Sequence, residues 1–291
     1  MRMDSKTITM KKIVISFFSL YLFFHFEISA QKNNSVFFYQ VEYAIDSTNL
    51  ENRKNELMVL WTTPTQSLFQ SYNGYLRDSV YNYYLGVAKN NDKIGKKSGS
   101  TNINQMMQDL SRFPNPGFSY KILKSKNEGL VYNYRKIFKT DYVYVEPLQA
   151  KNWRIGEGEK EVLSYKCQIA TIEYGGRKFV AWFTTDIPNN DGPYTFNGLP
   201  GLIVEIYDSE YHYHFKLVGV ENGNSKIAEQ IPKKPLKVEK VKYFKMEDEY
   251  RQNPLSQMSD ADASRLSPSD ANAVHERLKS QNNRLELVIE K

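Results

Sequence analysis

One cysteine, Cys167, occurs in 291 residues, so no disulfide can form within the chain and its stability has to come from packing. After the first 30 residues no apolar run approaches the roughly 20 residues that a membrane-spanning helix needs. Charge of one sign is also scarce. The 39 Lys and Arg stand against 33 Asp and Glu, a formal +6 spread along the chain, which suits solubility and excludes the dense basic surface that nucleic acid requires. The sequence has no Gly-x-Ser-x-Gly elbow, phosphate-binding glycine loop, His-Glu-x-x-His or dinucleotide fingerprint. Those absences argue against the reactions these motifs serve and leave other chemistry open. No internal repeat is present.

The N-terminal segment reads as an address. Arg2, Lys6, Lys11 and Lys12 precede an apolar run from Ile13 to Phe26, and Ile28-Ser29-Ala30 follows Glu27. A basic start, a short apolar core and a small residue at the cut are what signal peptidase recognises. The run is too short for a membrane anchor. We read residues 1–30 as a signal peptide cleaved after Ala30, directing the chain to the periplasm or outside the cell. Gln31, not cysteine, stands directly after the cut, which argues against a lipid anchor. The remaining 261 residues carry +4, since the leader holds four basic and two acidic residues, and they suffice for a sizeable core.

Aromatic and β-branched segments dominate the mature chain. Strands are predicted at 35–45, 56–61, 67–72, 118–124, 130–137, 141–146, 163–174, 178–185, 202–207 and 211–220. Thr63-Pro64-Thr65 and Gly175-Gly176 serve as hairpin turns. Residues 86–116 turn polar and are expected to be a mobile loop, interrupted by a short helix over 104–110. Beyond Gly223 the pattern weakens to a linker at Pro232–Pro235 and two short polar helices over 245–251 and 269–279, the second capped by Ser269. The expected fold is mainly β: a curved antiparallel sheet, half-barrel or sandwich, with a few short helices. It resembles periplasmic lipoprotein carriers at the level of architecture alone. It occupies residues 31–223, with a C-terminal extension, 224–291, packed on the same domain.

Gly and Pro concentrate in Asp191-Gly-Pro-Tyr-Thr-Phe-Asn-Gly-Leu-Pro-Gly-Leu202. Pro200 and Gly201 suit the central positions of a type II turn, because proline presets φ and glycine tolerates a positive value. With Tyr165-Lys-Cys167, Gly176-Arg-Lys178, Ala181-Trp-Phe-Thr184, Asp186-Ile-Pro188 and the core Gly198-Leu-Pro-Gly-Leu-Ile203, this stretch resembles the signature of the GLPGLI family. Asn282–Leu287 resembles that family's ending, with Arg284 standing where proline is common. The resemblance implies an exported Bacteroidota protein of unknown function and brings no catalytic residues with it.

Two readings of the signature stand. In one it is a rigid corner that sets strand order. In the other Asp186, Asp191 and Asn197, with Gly198, Leu199, Pro200 and Gly201 and the loop's unpaired amides, recognise a ligand or partner, as loops on rigid sheets often do. Asp186 and Asp191 also form a possible carboxylate pair. His212 and His214, two apart, would share one face of a strand, so with Glu205 they are candidate ligands for zinc or copper. Cys167 fits a buried, inert thiol better than a nucleophile. The leading functional expectation is a non-enzymatic periplasmic or envelope protein that binds a hydrophobic ligand, a peptide or an outer-envelope partner. The alternative is a hydrolase or metal-dependent enzyme built on the 186–197 loop and the two histidines.

Overall fold

A computed structural model describes residues 34–93, 100–223, 227–258 and 264–288. The segment read as a signal peptide lies outside them. Twelve strands form one open sheet: β1 (Ser35–Ala44), β2 (Arg53–Thr62), β3 (Gln66–Ser71), β4 (Lys121–Ser125), β5 (Leu130–Ile137), β6 (Thr140–Pro147), β7 (Arg154–Val162), β8 (Tyr165–Tyr174), β9 (Arg177–Thr184), β10 (Leu202–Asp208), β11 (Tyr213–Asn222) and β12 (Leu236–Lys237). Their order is β12-β6-β5-β4-β3-β2-β1-β11-β10-β9-β8-β7. Two meanders, β1 to β6 and β7 to β11, are thus joined edge to edge by the antiparallel β1–β11 pair, Ser35 opposite Asn222 and Tyr43 opposite Tyr213. The mainly-β class is as the sequence indicates. The sheet is mixed, because β12 lies parallel to β6.

Alternation explains the layering. On β1, Phe37, Tyr39, Val41 and Tyr43 enter one large core, while Val36 and Phe38 face a smaller cluster on the other side. The large core takes side chains from both meanders, so the sheet curls around its inner face. The edge strand β7 was not expected. Its Gly156, Gly158 and four charged residues between 157 and 161 weaken the strand pattern, and the same charges blunt an edge that would otherwise pair with other chains.

In the polar stretch after β3 the described residues are mostly helical. Helix α1 (Tyr72–Lys93) reaches into the expected loop, and α2 (Ser100–Ser111) contains the helix expected over 104–110. Ser71 Oγ accepts the Gly74 amide at 3.0 Å and so caps α1. Tyr72 and Tyr75 pack edge-on against Phe38 and Trp61 on the outer face. Arg77 then donates to the carbonyls of Leu110, in the last turn of α2, and Phe113, just beyond it, both at 2.8 Å. Asn and Tyr fill much of α1, so its apolar periodicity is faint and tertiary contacts decide its conformation. Helix α3 (Ile227–Gln230) is a single turn. Helix α4 (Lys240–Gln252) lays Tyr243 and Phe244 on Tyr144 and Ile137, and α5 (Pro268–Lys279) follows. Ser267, not Ser269, caps α5, with Pro268 in the first turn. No helix among the described residues is long and apolar enough to cross a membrane.

Candidate functional site

The signature segment lies inside the molecule. Asp191 and Lys124 are each 1% exposed and form an ion pair. β4 and β10 are five strands apart, ~24 Å along a flat sheet, so the contact requires the β9–β10 loop to run inward across the curled face. Lys124 spends all three ammonium protons there: on the Asp191 carboxylate, on the Gly192 carbonyl at 2.8 Å and on the Phe196 carbonyl at 3.1 Å. The Ser67 hydroxyl donates to the other carboxylate oxygen. Burial pushes the Asp191 carboxyl upward, but Lys124 and Ser67 outweigh it and hold the pKa below the ordinary value. Burial draws Lys124 below its own ordinary value, against the pull of Asp191. Tyr194, Phe196 and Leu199 sit in the core beside this pair, each burial contributing about 1.5–3 kcal/mol.

Several of the loop's amides are also spent. Those of Phe196, Gly198 and Ile203 reach the carbonyls of Pro193, Asn190 and Asp191 at 3.0–3.1 Å. The expected type II turn is replaced by a tighter one: the Gly201 amide donates to the Leu199 carbonyl at 2.8 Å, and Leu202 bonds to Ile187 instead. Glycine is required at 201, where a Cβ would lie 2.0 Å from the Thr184 carbonyl oxygen. Asn197 is buried and receives the Trp153 indole N–H on its carbonyl at 2.8 Å, while Pro200 is exposed. Asp186 is exposed, so the two aspartates do not meet as an acid–base pair.

The histidines likewise go to different partners. His214 Nε2 lies 2.7 Å from Glu205 Oε1, and His212 Nδ1 lies 3.1 Å from Asn283 Oδ1. Burial opposes ionisation of Glu205, yet His214 and Lys160 bring its carboxyl down to about 2. Among the described residues no group of three or more His, Cys, Asp or Glu side chains is placed to hold a metal ion. Cys167 is buried, and burial pushes its thiol up, away from reactivity.

A cavity of about 630 Å³ opens on the same inner face, with Tyr194 of the signature segment in its lining. One wall is a run of rings: Tyr43 on Phe118 (centroids 4.3 Å apart), Phe118 on Tyr120 (5.2 Å) and Tyr120 on Tyr194 (5.4 Å). Tyr213 stacks on Tyr43 at 6.2 Å. Glu56, 6% exposed, accepts the amides of Gly117 and Phe118 on Oε2 at 2.9 and 3.1 Å. Gly117 is obligatory, since a Cβ there would sit 1.9 Å from the Tyr43 hydroxyl and 2.9 Å from Glu56. Burial raises the Glu56 carboxyl above its ordinary pKa against the pull of Ser71 and the two amides, and burial puts the Tyr120 phenol well above its own.

Arg135 completes the site. Its guanidinium carbon lies 4.6 Å from the Tyr120 ring centre and 5.7–5.8 Å from those of Tyr144, Tyr194 and Phe244. Nη2 donates to the hydroxyls of Tyr144 at 3.1 Å and Tyr194 at 2.9 Å. Three buried polar atoms lining this cavity have no hydrogen-bond partner: Glu56 Oε1, the Tyr120 hydroxyl and Arg135 Nε. The rim is held by α4 and residues 283–286. Arg284 is paired with Asp248 and Glu247. Glu286 accepts from the Tyr194 hydroxyl and pairs with Lys240 at 2.7 Å. Arg177 fixes this last segment from behind, bonding Asn283 Oδ1 at 2.6 Å and the Arg284 carbonyl at 2.7 Å.

Sequence reasoning did not single out Glu56, Tyr120 or Arg135. A signal exists: on β5 the positions in register with the core residues Val131 and Ile137 are Asn133 and Arg135, and on β2 Glu56 shares the face of Met58 and Leu60. Polar residues where alternation demands apolar ones mark a place where the inner face serves something other than packing.

The family model described as a protein of unknown function (Porph_ging) matches residues 174–205. That stretch runs from the end of β8 through the inward loop into β10, where the GLPGLI resemblance is strongest. No curated protein matches this chain. Among solved structures, PNGF-II in two crystal forms, P21 and C2, is similar over 74% of this chain at 10% identity, with a TM-score of 0.48. The chain spans about a third of those structures' length, 33% and 32%, and at that level of likeness nothing about activity transfers.

Proposed function

We propose that this chain is an exported binding protein that holds a small amphipathic ligand in the inner-face cavity and performs no chemistry on it. The observation that carries this reading is the set of three unpartnered buried polar atoms, contributed by β2, the segment before β4 and β5, in the wall of one aromatic-lined cavity. An orphaned buried polar group costs about 1–3 kcal/mol, a cost that a bound ligand relieves. Aromatic walls with a few placed polar groups are the usual make-up of small-molecule sites. The leader read in residues 1–30 supports export, and the GLPGLI resemblance supports an envelope setting.

The residues named for catalysis do not supply the alternative. Asp191 is committed to Lys124, Asp186 is exposed, and His212 and His214 bond to Asn283 and Glu205. Native mass spectrometry of the full chain purified from its own envelope tests the proposal. A small molecule released on denaturation, and lost from Tyr120→Phe and Arg135→Gln, is the expected result. Ligand retained undiminished by both variants would place binding elsewhere and sink the reading.

A further inference from the structure

Resting on that reading, we infer that the ligand carries an oxyanion, carboxylate or phosphate, on an apolar body, and that the oxyanion docks between Arg135 and the Tyr120 hydroxyl. Lys151, like Arg135, has a ring and no ion pair among the described residues, but three other enclosed cations show what is missing here. Lys124 has Asp191, Arg177 has Asp208 at 3.2 Å, and Lys240 has Glu146 and Glu286 at 2.8 and 2.7 Å. Arg135 has rings on its faces and two phenol oxygens at Nη2, yet it makes no ion pair with a described carboxylate, and its Nε–H is buried without an acceptor. Enclosed charges are ordinarily paired, because removing them from water is costly. A guanidinium in this state is a preformed receptor for an anion, and the Tyr120 hydroxyl beside it is a second donor with no partner.

The local balance agrees. Five basic side chains line the cavity against three carboxylates. Of those carboxylates, Glu247 and Glu286 are already engaged by Arg284 and Lys240. Of the basic groups, Lys136, Arg251 and Arg284 are engaged by Asp141, Glu247 and Asp248, which leaves Lys54 and Arg135 without an ion pair among the described residues. Glu56 Oε1 is left to accept an N–H or O–H elsewhere on the ligand. The apolar body lies along Tyr43, Phe118 and Tyr213, whose rings continue from Tyr120. Charge-assisted hydrogen bonds are roughly twice as strong as neutral ones, so the anion sets the preference and the rings add area.

The test uses the full chain and four probes with one body: 4-phenylbutanoate, 4-phenylbutyl phosphate, 4-phenylbutanamide and 4-phenylbutanol. Binding is followed by calorimetry and by the ¹⁵N-edited signal of the Arg135 Nε–H. One or both anions should bind at least about tenfold more tightly than the amide and alcohol and should shift the Nε–H resonance. The stronger of the two identifies the head group. Arg135→Gln should erase that preference, Arg135→Lys should keep part of it, and Tyr120→Phe should reduce it without loss of fold. Neutral probes binding as well as the anions, at rings of the same cavity, would overturn the anion inference and leave the binding proposal standing. No probe perturbing the cavity at millimolar concentration would bring both down.

Discussion

Two cations sit on the inner face of one sheet, and their surroundings could hardly differ more. At the signature end Lys124 has every proton assigned, a carboxylate at contact and core on all sides. At the cavity end Arg135 has aromatic faces, two phenols and an idle N–H. Saturation is what a structural charge looks like, since a buried pair is tolerated only when its remaining valences are met. Incompleteness in a partly buried guanidinium whose Nε–H is fully enclosed is what a receptor looks like. The comparison separates a motif that attracts attention by composition from a site that composition does not advertise.

The largest effect should come from breaking the saturated end. Lys124→Met leaves Asp191 buried and unpaired and should cost about 3–5 kcal/mol in urea unfolding, whereas Arg135→Gln should cost less than half as much. Equal losses would erase the distinction between the two ends.

Acid should act next, and with opposite signs. Asp191 and Glu205 have depressed folded-state pKa values, so their stability is present above the ordinary carboxylate range and is lost as pH falls, for Glu205 from about 4.5 toward about 2. Glu56 has a raised value: its linked stability is full below pH 4.5 and declines as pH climbs through its folded pKa. Glu56→Gln should therefore gain relative stability at pH 7 over pH 4 in thermal melts. A Glu56→Gln difference that stays flat with pH would show that the carboxyl is not strained.

Smaller still is Tyr120→Phe, which removes a hydroxyl without a partner and should leave stability unchanged or raise it by up to ~1 kcal/mol while weakening ligand retention. A clear loss of stability would reveal an internal partner for that oxygen. The least effect is expected at Cys167. Its buried thiol should resist iodoacetamide at pH 8 in the native protein and react on unfolding; rapid native labelling would contradict that burial.

Much of the first meander and the β8–β9 hairpin was legible because their side chains alternate cleanly, as Phe37, Tyr39, Val41 and Tyr43 do. Helix α1 was not, since its contacts with Trp61 and Phe38 are tertiary and its own sequence is rich in Asn and Tyr. Edge strand β7 hid behind its glycines and charges. The inward path of residues 191–199 was invisible because an Asp and two aromatics in a Gly- and Pro-rich stretch look the same whether the loop faces solvent or core. The cavity was legible only as an anomaly, charge at inward positions, and became a site once strands distant in sequence were brought together.

The seam between β1 and β11 has a kinetic consequence. Each meander is assembled from neighbours in sequence and can form locally, but the seam joins residues 170 to 187 positions apart. Closing so long a loop carries an entropic cost before any contact repays it, and non-local strand pairing folds in milliseconds to seconds rather than microseconds. The rate-limiting event should be the docking of two half-sheets, each exposing the aromatic face that becomes the core. Until then the cavity does not exist, because Tyr43 and Tyr213, which stack side by side in its lining, arrive from opposite halves.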